Sequence, residues 1–189
     1  MVAFSQRKKR SRPDEMGDIE WLVALEEIRQ LKARRDRYVD ARDWDGYASL
    51  HAPDHVSHHA ADSRLGTAPE PWTSVEEMMK NIKKHMPENM FSAHHSYDPE
   101  IIFETTTKAR GIWAMTAATA TDFLTGEAGW SIGYGYYYET YEKREEEWFF
   151  TGRRWHKHFG VQSQIGRDNI EVLLPKITLK GSDAFDEFK

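Results

Sequence analysis

Residues Gly129–Glu142 read GWSIGYGYYYETYE, and this stretch decides the fold class. Trp130, Ile132, Tyr134, Tyr136 and Tyr138 occupy every second position, with Ser131, Gly133 and Gly135 between them. A period of two is the side-chain period of a β-strand, so one face of this strand packs and the other is carved out. Small residues on one face leave room for a helix, a bend or a ligand, and glycine pairs mark strong curvature. Phe91–Tyr97, Glu100–Thr106, Gly111–Phe123 and Trp148–Val161 share the aromatic and β-branched bias and are parted by turn formers. Arg144–Glu147 then links the last two strands as a charged hairpin.

Upstream the period changes. Asp18 is placed to cap a helix running to Ala41, with Trp21, Leu25, Ile28 and Val39 on its apolar side. A short helix follows Asp43 from Trp44 to Leu50 and is stopped by Pro53, and His55–Ala60 reads as a brief strand. Ser74 with Glu77 forms a capping box for a third helix, whose stripe is Val75, Met78, Met79 and Ile82 and which ends before Pro87. Helices first and long strands afterwards predict an α+β fold, three N-terminal helices packed on a strongly curved, mixed, mostly antiparallel sheet. One domain, 17–168, lies between a basic disordered tail, 1–16, and a polar C-terminal extension, 169–189, with a strand-like patch at Ile177–Leu179.

Composition limits the chemistry. Among 189 residues are seven Trp, eight Tyr and nine Phe, so the core is built largely from rings. Cysteine is absent, which removes disulfides, thiolate nucleophiles and Cys-ligated zinc and leaves catalysis to oxygen and nitrogen side chains. Arg7, Lys8, Lys9, Arg10 and Arg12 carry five positive charges, so the net charge of −5 leaves about −10 on the rest, and the basic run reads as solvated tail rather than a nucleic-acid surface. No run reaches the roughly 20 apolar residues of a membrane span, and no apolar stretch follows the basic N-terminus as in a secretory signal, so a cytoplasmic location is expected.

The stretch IRQLKARRDRYVDARDWDGYASLHAPD, Ile28–Asp54, resembles the opening of the SnoaL-like family in the nuclear transport factor two-like superfamily. SAHHSYDPEI, Ser92–Ile101, resembles its His-containing strand entry, and YYYETYEKREEEWFFTGRRWHKHF, Tyr136–Phe159, resembles its closing hairpin. The likeness spans residues 19–165 and is nearest to bile acid 7α-dehydratases, with scytalone dehydratase and hexachlorocyclohexane dehydrochlorinase more distant. It implies a cone-shaped fold, a homo-oligomer with a trimer favoured, and a cofactor-free lyase. The superfamily also holds polyketide cyclases, ketosteroid isomerases, lyases that release formaldehyde, and members without catalysis, so fold alone does not fix activity.

The resemblance implies that Asp40, near the end of the first helix, orients His94 as the base. Read alone, Asp40 is a helix-end carboxylate at the shoulder of the apolar stripe and His94 an ordinary half-buried strand histidine, as His95 is. Arg35 stands where the family places a Tyr, His59 where it places another, and Lys157 where it places a pocket Arg. Arg35 also continues the stripe of Trp21 and Ile28, so it pairs with a structural carboxylate such as Glu139, snorkels, or faces a cavity and binds an anionic oxygen. Tyr38, Trp113, Tyr136, Tyr138, Trp155 and His158 are candidates for lining an apolar pocket, mostly packing residues in the bland reading. Nine histidines, with His51, His55, His58 and His59 in one cluster and His156 and His158 two apart, raise the question of a metal, yet no carboxylate completes a ligand set. The expectation is no metal, no cofactor, and a hydrophobic aromatic or polycyclic substrate that loses water or a related small group. A non-catalytic binding module, marked by a broken Asp40–His94 contact, and a cyclase or isomerase are the alternatives.

Overall fold

The computed structural model describes residues 12–58, 70–121, 129–164 and 171–173. Three helices, α1 (Asp18–Ala41), α2 (Trp44–Ser49) and α3 (Val75–His85), accompany strands β1 (His51–His58), β2 (Met90–Phe103), β3 (Lys108–Thr121), β4 (Gly129–Arg144), β5 (Glu147–Gln164) and β6 (Glu171–Leu173). The sheet runs β1-β5-β4-β3-β2 with β6 on β5; β1 pairs parallel to β5 and every other pairing is antiparallel. This is the expected α+β architecture, a mixed and mostly antiparallel sheet with helices supplied from the N-terminal half.

Several boundaries differ from the sequence reading, each for a local reason. The N-cap of α1 is Gly17, and Asp18 is instead the first helical residue, where its charge still suits the helix dipole. Met16, read as tail, is 2% exposed and packs in the core. Pro53 does not end α2 but lies within β1, in the interval between His51 and Val56 where the pairing with β5 slips, and an irregular edge strand tolerates its missing N–H. The two strands read on either side of Asp98–Pro99 are one, β2, which bulges between Tyr97 and Glu100 and resumes the same partner, with Asp98 at φ 36°. Ser74 accepts from the Glu77 N–H at 3.1 Å as a cap should, but Glu77 returns its carboxylate to the Thr73 N–H. The hairpin tip, Glu145 and Glu146, takes φ of 50° and 69°, the left-handed pair that a two-residue turn between twisted strands requires. The basic run before Arg12, His59 and Ile177–Leu179 lie outside the described residues.

Because side chains alternate, the register sorts the sheet into two faces. Facing α1 are Ser92, His94 and Ser96 of β2, Trp113, Met115 and Ala117 of β3, Gly133, Gly135, Tyr137 and Glu139 of β4, and Arg153, Trp155 and Lys157 of β5. The main core, including Ile28, Leu31, Phe103, Trp113, Tyr141 and Phe150, fills the lower part of this face, and a second cluster of Val39, Tyr47, Met78 and Ile82 ties the three helices together. The glycine side of β4 is therefore the inner side. Trp130, Ile132, Tyr134, Tyr136 and Tyr138 face outward, where Phe91, Tyr97 and Tyr136 are exposed.

Candidate active site

Helix α1 changes character along its length. Its buried side begins with Ala24, Ile28 and Leu31 and continues as Lys32, Arg35 and Asp36 before Val39. Burying charge is costly without partners, and each of these finds one on the sheet or beside it. Lys32 Nζ donates to Glu139 Oε1 at 2.6 Å, and Tyr141 Oη donates to Glu139 Oε2 at 2.6 Å while accepting from Trp113 Nε1 at 2.7 Å. Arg35 donates to Asp36 at 2.8 Å and to Tyr47 Oη at 3.1 Å, and Ser96 Oγ donates to Asp36 at 2.6 Å. Burial alone would push the Asp36 carboxyl up, but Lys32, Arg35 and the hydrogen bonds from Ser96 and Arg35 outweigh it and hold it below the usual range. For Lys32 burial prevails and lowers the ammonium pKa despite Glu139.

One turn further on, Asp40 meets β2 through three hydrogen bonds. Its carboxylate accepts from His94 Nδ1 at 2.7 Å, from the His94 backbone N–H at 2.7 Å and from Ser92 Oγ at 2.8 Å. A carboxylate only accepts, so the imidazole proton sits on Nδ1 and the Nε2 lone pair is left for another partner. Burial opposes ionisation of Asp40, but the bonds from His94 and Ser92 and the nearby imidazole win and keep its carboxyl below the ordinary value. The His94 side chain is 14% exposed, so the ring is held and still reachable.

Across the sheet from His94 the register runs through Ala117 and Gly133 to Gly160, a row with almost no side-chain bulk. Lys157 bends over this row: its Cε lies 3.6 Å from where a Gly133 Cβ would be and 2.4 Å from a Gly160 Cβ. Trp155 borders it, with an indole carbon 3.8 Å from the Gly133 position. The row is thus a slot only in the side-chain layer of the sheet, roofed by Lys157 and Trp155, running from the base on β2 to the ammonium on β5. Gly135 is different, since a Cβ there would meet the His156 carbonyl at 2.0 Å, and its role is the bend at the bulge.

The remaining candidates fall elsewhere. Arg35 does not pair with Glu139, which Lys32 occupies, and at 2% exposure it neither snorkels nor opens to a cavity. Tyr136 and Tyr138 are on the face opposite His94, because the strand turns its glycine side and not its tyrosine side to the helices. Trp113 shares the inner face but is 4% exposed and hydrogen-bonded within the core. Tyr38 packs between the two core clusters, and His158 is exposed at the β5 bulge. His51 and His55 are buried and their rings lie 4.7 Å apart. Among the described residues no group of three His, Asp or Glu is arranged to hold a metal.

Residues missed in the sequence include Asp36, Ser92 and Ser96, although Asp36 and Asp40 at helical spacing, opposite Ser92, His94 and Ser96 at strand spacing, form a readable pattern. Arg153 was missed as well. It faces inward four residues before Lys157, with its guanidinium 5.2 Å from the Tyr137 ring centre.

Comparison with known proteins agrees with this fold. The sequence profile of the SnoaL-like domain matches residues 21–154. A protein assigned as a scytalone dehydratase from Novosphingobium aromaticivorans superposes with a TM-score of 0.65 at 17% identity, over 87% of this chain and 100% of that one. Hexachlorocyclohexane dehydrochlorinase LinA-type3 from Novosphingobium barchaimii does so with 0.60 at 16%, over 87% and 99%. ActVI-ORFA from Streptomyces coelicolor gives 0.56 at 10%, over 71% and 97%. At such identities the likeness is one of fold.

Proposed function

The chain belongs to the SnoaL-like domain family, and on that premise we propose that it is a cofactor-independent lyase. It removes water, or a related small group such as formaldehyde, from a hydroxylated aromatic or polycyclic substrate. The observation that carries this reading is the grip of Asp40 on both the Nδ1 and the backbone N–H of His94. Such a clasp fixes tautomer and orientation together and directs Nε2 at the substrate as a general base. His94 takes a proton from carbon or from a hydroxyl, Lys157 stabilises the oxygen on which charge develops, and the positive potential around Arg35 favours the same charge. His59 is proposed to return a proton to the leaving oxygen. Trp155, with Tyr38 at the side of the helix cluster, supplies apolar contact for the ring system. The non-catalytic reading called for a broken dyad, and the 2.7 Å contact speaks against it. The enzyme is further proposed to work as a homo-oligomer, a trimer by its family likeness, closing over the exposed aromatic outer face.

The test is kinetic. Asp40→Asn and His94→Ala are each expected to lower turnover by at least about 10²-fold with the fold intact, and the double variant to be little worse than the poorer single. Near-native rates in either single variant, with hydroxylated steroids or phenolic dimers as the screen, would overturn the assignment.

A further inference from the structure

The charges beneath the slot do not balance. Lys32, Arg35 and Arg153 are cationic, and Asp36 and Glu139 are the anions that face them. Lys32 holds Glu139 at 2.6 Å and Arg35 holds Asp36 at 2.8 Å, which leaves Arg153 without an ion pair among the described residues. Among the described residues its side chain donates from Nη1 to the Tyr47 hydroxyl at 3.5 Å, the same oxygen to which Arg35 donates at 3.1 Å. Both guanidinium groups also lie over the Tyr137 ring, at 5.0 Å and 5.2 Å from its centre, so two like charges are held close together. Nε of each is sealed from solvent without an acceptor among the described residues, yet Arg153 as a whole is only half-buried.

We infer that Arg153 is the anchor for a permanently ionised acid, a carboxylate, carried by the substrate. Charge that appears only in a transition state would leave the cluster with three cations against two carboxylates, Glu139 opposite Arg153 being already held by Lys32, whenever substrate is bound but not yet reacting. A carboxylate present throughout binding removes that repulsion, and a planar guanidinium suits its two oxygens. The side chains of Arg153, Trp155 and Lys157 follow one another on the inner face of β5, so the anchor and the ammonium over the slot are about 13 Å apart along the strand at roughly 3.3 Å per residue. The substrate is then an acid whose carboxylate lies toward the Arg153 end of β5, away from the carbon that reacts beside His94 and Lys157. The inference rests on the proposed reaction at His94 for which end reacts, but not for which end is held.

Binding separates the two readings. The probes are a naphthalene carboxylate and the matching naphthalene methanol, with acetate and chloride as free anions, titrated against the full chain by calorimetry and thermal shift. The carboxylate should bind at least about tenfold more tightly than the alcohol, and this preference should fall steeply as ionic strength rises. Arg153→Met should abolish the preference, and Arg153→Lys, which keeps charge and loses the fork, should retain part of it. His94→Ala should bind the carboxylate as the parent does; if it is inactive and still binds, or active with no selectivity, the two proposals are told apart. Equal affinity for alcohol and carboxylate, or unchanged selectivity in Arg153→Met, overturns the anchor. Should Arg153→Met not fold, the parent's selectivity and that of Arg153→Lys decide. Acetate or chloride acting as strongly as the aromatic acid would make this a free-anion site and overturn its assignment to the substrate.

Discussion

Acid should destabilise this protein well above the pH at which its carboxylates titrate, and the cause is the buried pair His51 and His55. Burial pushes His55 down to about 3, with Arg35 adding to it, against the contact of Nδ1 with the Phe150 carbonyl at 3.2 Å and the charge of Asp54. Burial, then His55 and Arg35, push His51 well below its usual value too. In the unfolded chain both return to about 6.5, so as pH falls below that point the unfolded state binds protons that the folded state refuses. The stabilisation is complete above about pH 6.5 and is lost downward, for His55 at about 1.4 kcal/mol per pH unit. At about pH 5 His55 alone has cost about 2 kcal/mol out of a total stability of about 5–15 kcal/mol, and His51 adds to the loss in the same direction. The depressed carboxyls of Asp36 and Asp40 add their own loss only once pH approaches their unfolded value of about 3.9, so the interval from about pH 6.5 to 5 reports histidine. His156, lowered chiefly by burial, contributes in the same direction. Urea unfolding followed by tryptophan fluorescence across that interval measures the slope, and His55→Gln, which cannot titrate, should reduce it by about 1.4 kcal/mol per unit whatever its absolute stability. A flat profile for the parent, or an unchanged slope in His55→Gln, would refute the reasoning.

Other perturbations follow from single contacts. Glu139→Gln leaves the Lys32 ammonium buried without its counter-charge and should cost about 3–5 kcal/mol by denaturant titration, part of which Lys32→Met in the same chain should restore. Gly135→Ala drives a Cβ to 2.0 Å from the His156 carbonyl and should fail to yield stable protein, while Gly133→Ala, with its nearest atom at 3.6 Å, should fold with a melting temperature close to the parent's. Sedimentation at micromolar concentration should show an oligomer, and Tyr136→Glu on the outer face should shift it to monomer; a parent that sediments as a monomer removes the oligomer proposal.

Much of the architecture is legible because it rests on periodicity. The strand alternation of Trp130–Tyr138 and the stripes of α1 and α3 follow directly from side-chain geometry. What alternation does not tell is which face turns inward. The aromatic face of β4 looks like the core side, yet the inner side carries Gly133, Gly135, Tyr137 and Glu139, where the glycines make room for Lys157, Trp155 and the bent β5 backbone and Glu139 meets Lys32 of α1. Tyr136 and Tyr138 turn outward for that reason, and of the alternatives open to Arg35 the structure has the structural carboxylate, but as Asp36 beside it, because Lys32, one turn earlier on the same stripe, takes Glu139. The bend at Tyr134 and Gly135 was legible in the glycine pair, whereas the bulge after Tyr97 was hidden, since Asp98–Pro99 reads equally well as a turn between two strands.

The contact between Asp40 and His94 depends on the registration of the whole first helix. Asp36 and Asp40 lie four residues apart on α1 and reach Ser96 and Ser92, four apart on β2, in the opposite chain sense. One hydroxyl clasp would leave the helix free to turn about that point, whereas two fix both its rotation and its position along the strand. A slip of one residue turns a helix by about 100°, enough to carry Asp40 away from the His94 ring altogether. The second clasp is itself held by Arg35, which also binds Tyr47 on α2, so the orientation of the base is linked through Asp36 to the packing of the next helix. The polar residues in the lower half of α1 therefore act on the dyad as a registration device, and the loss of any one of them should be felt at His94 before it is felt in the fold.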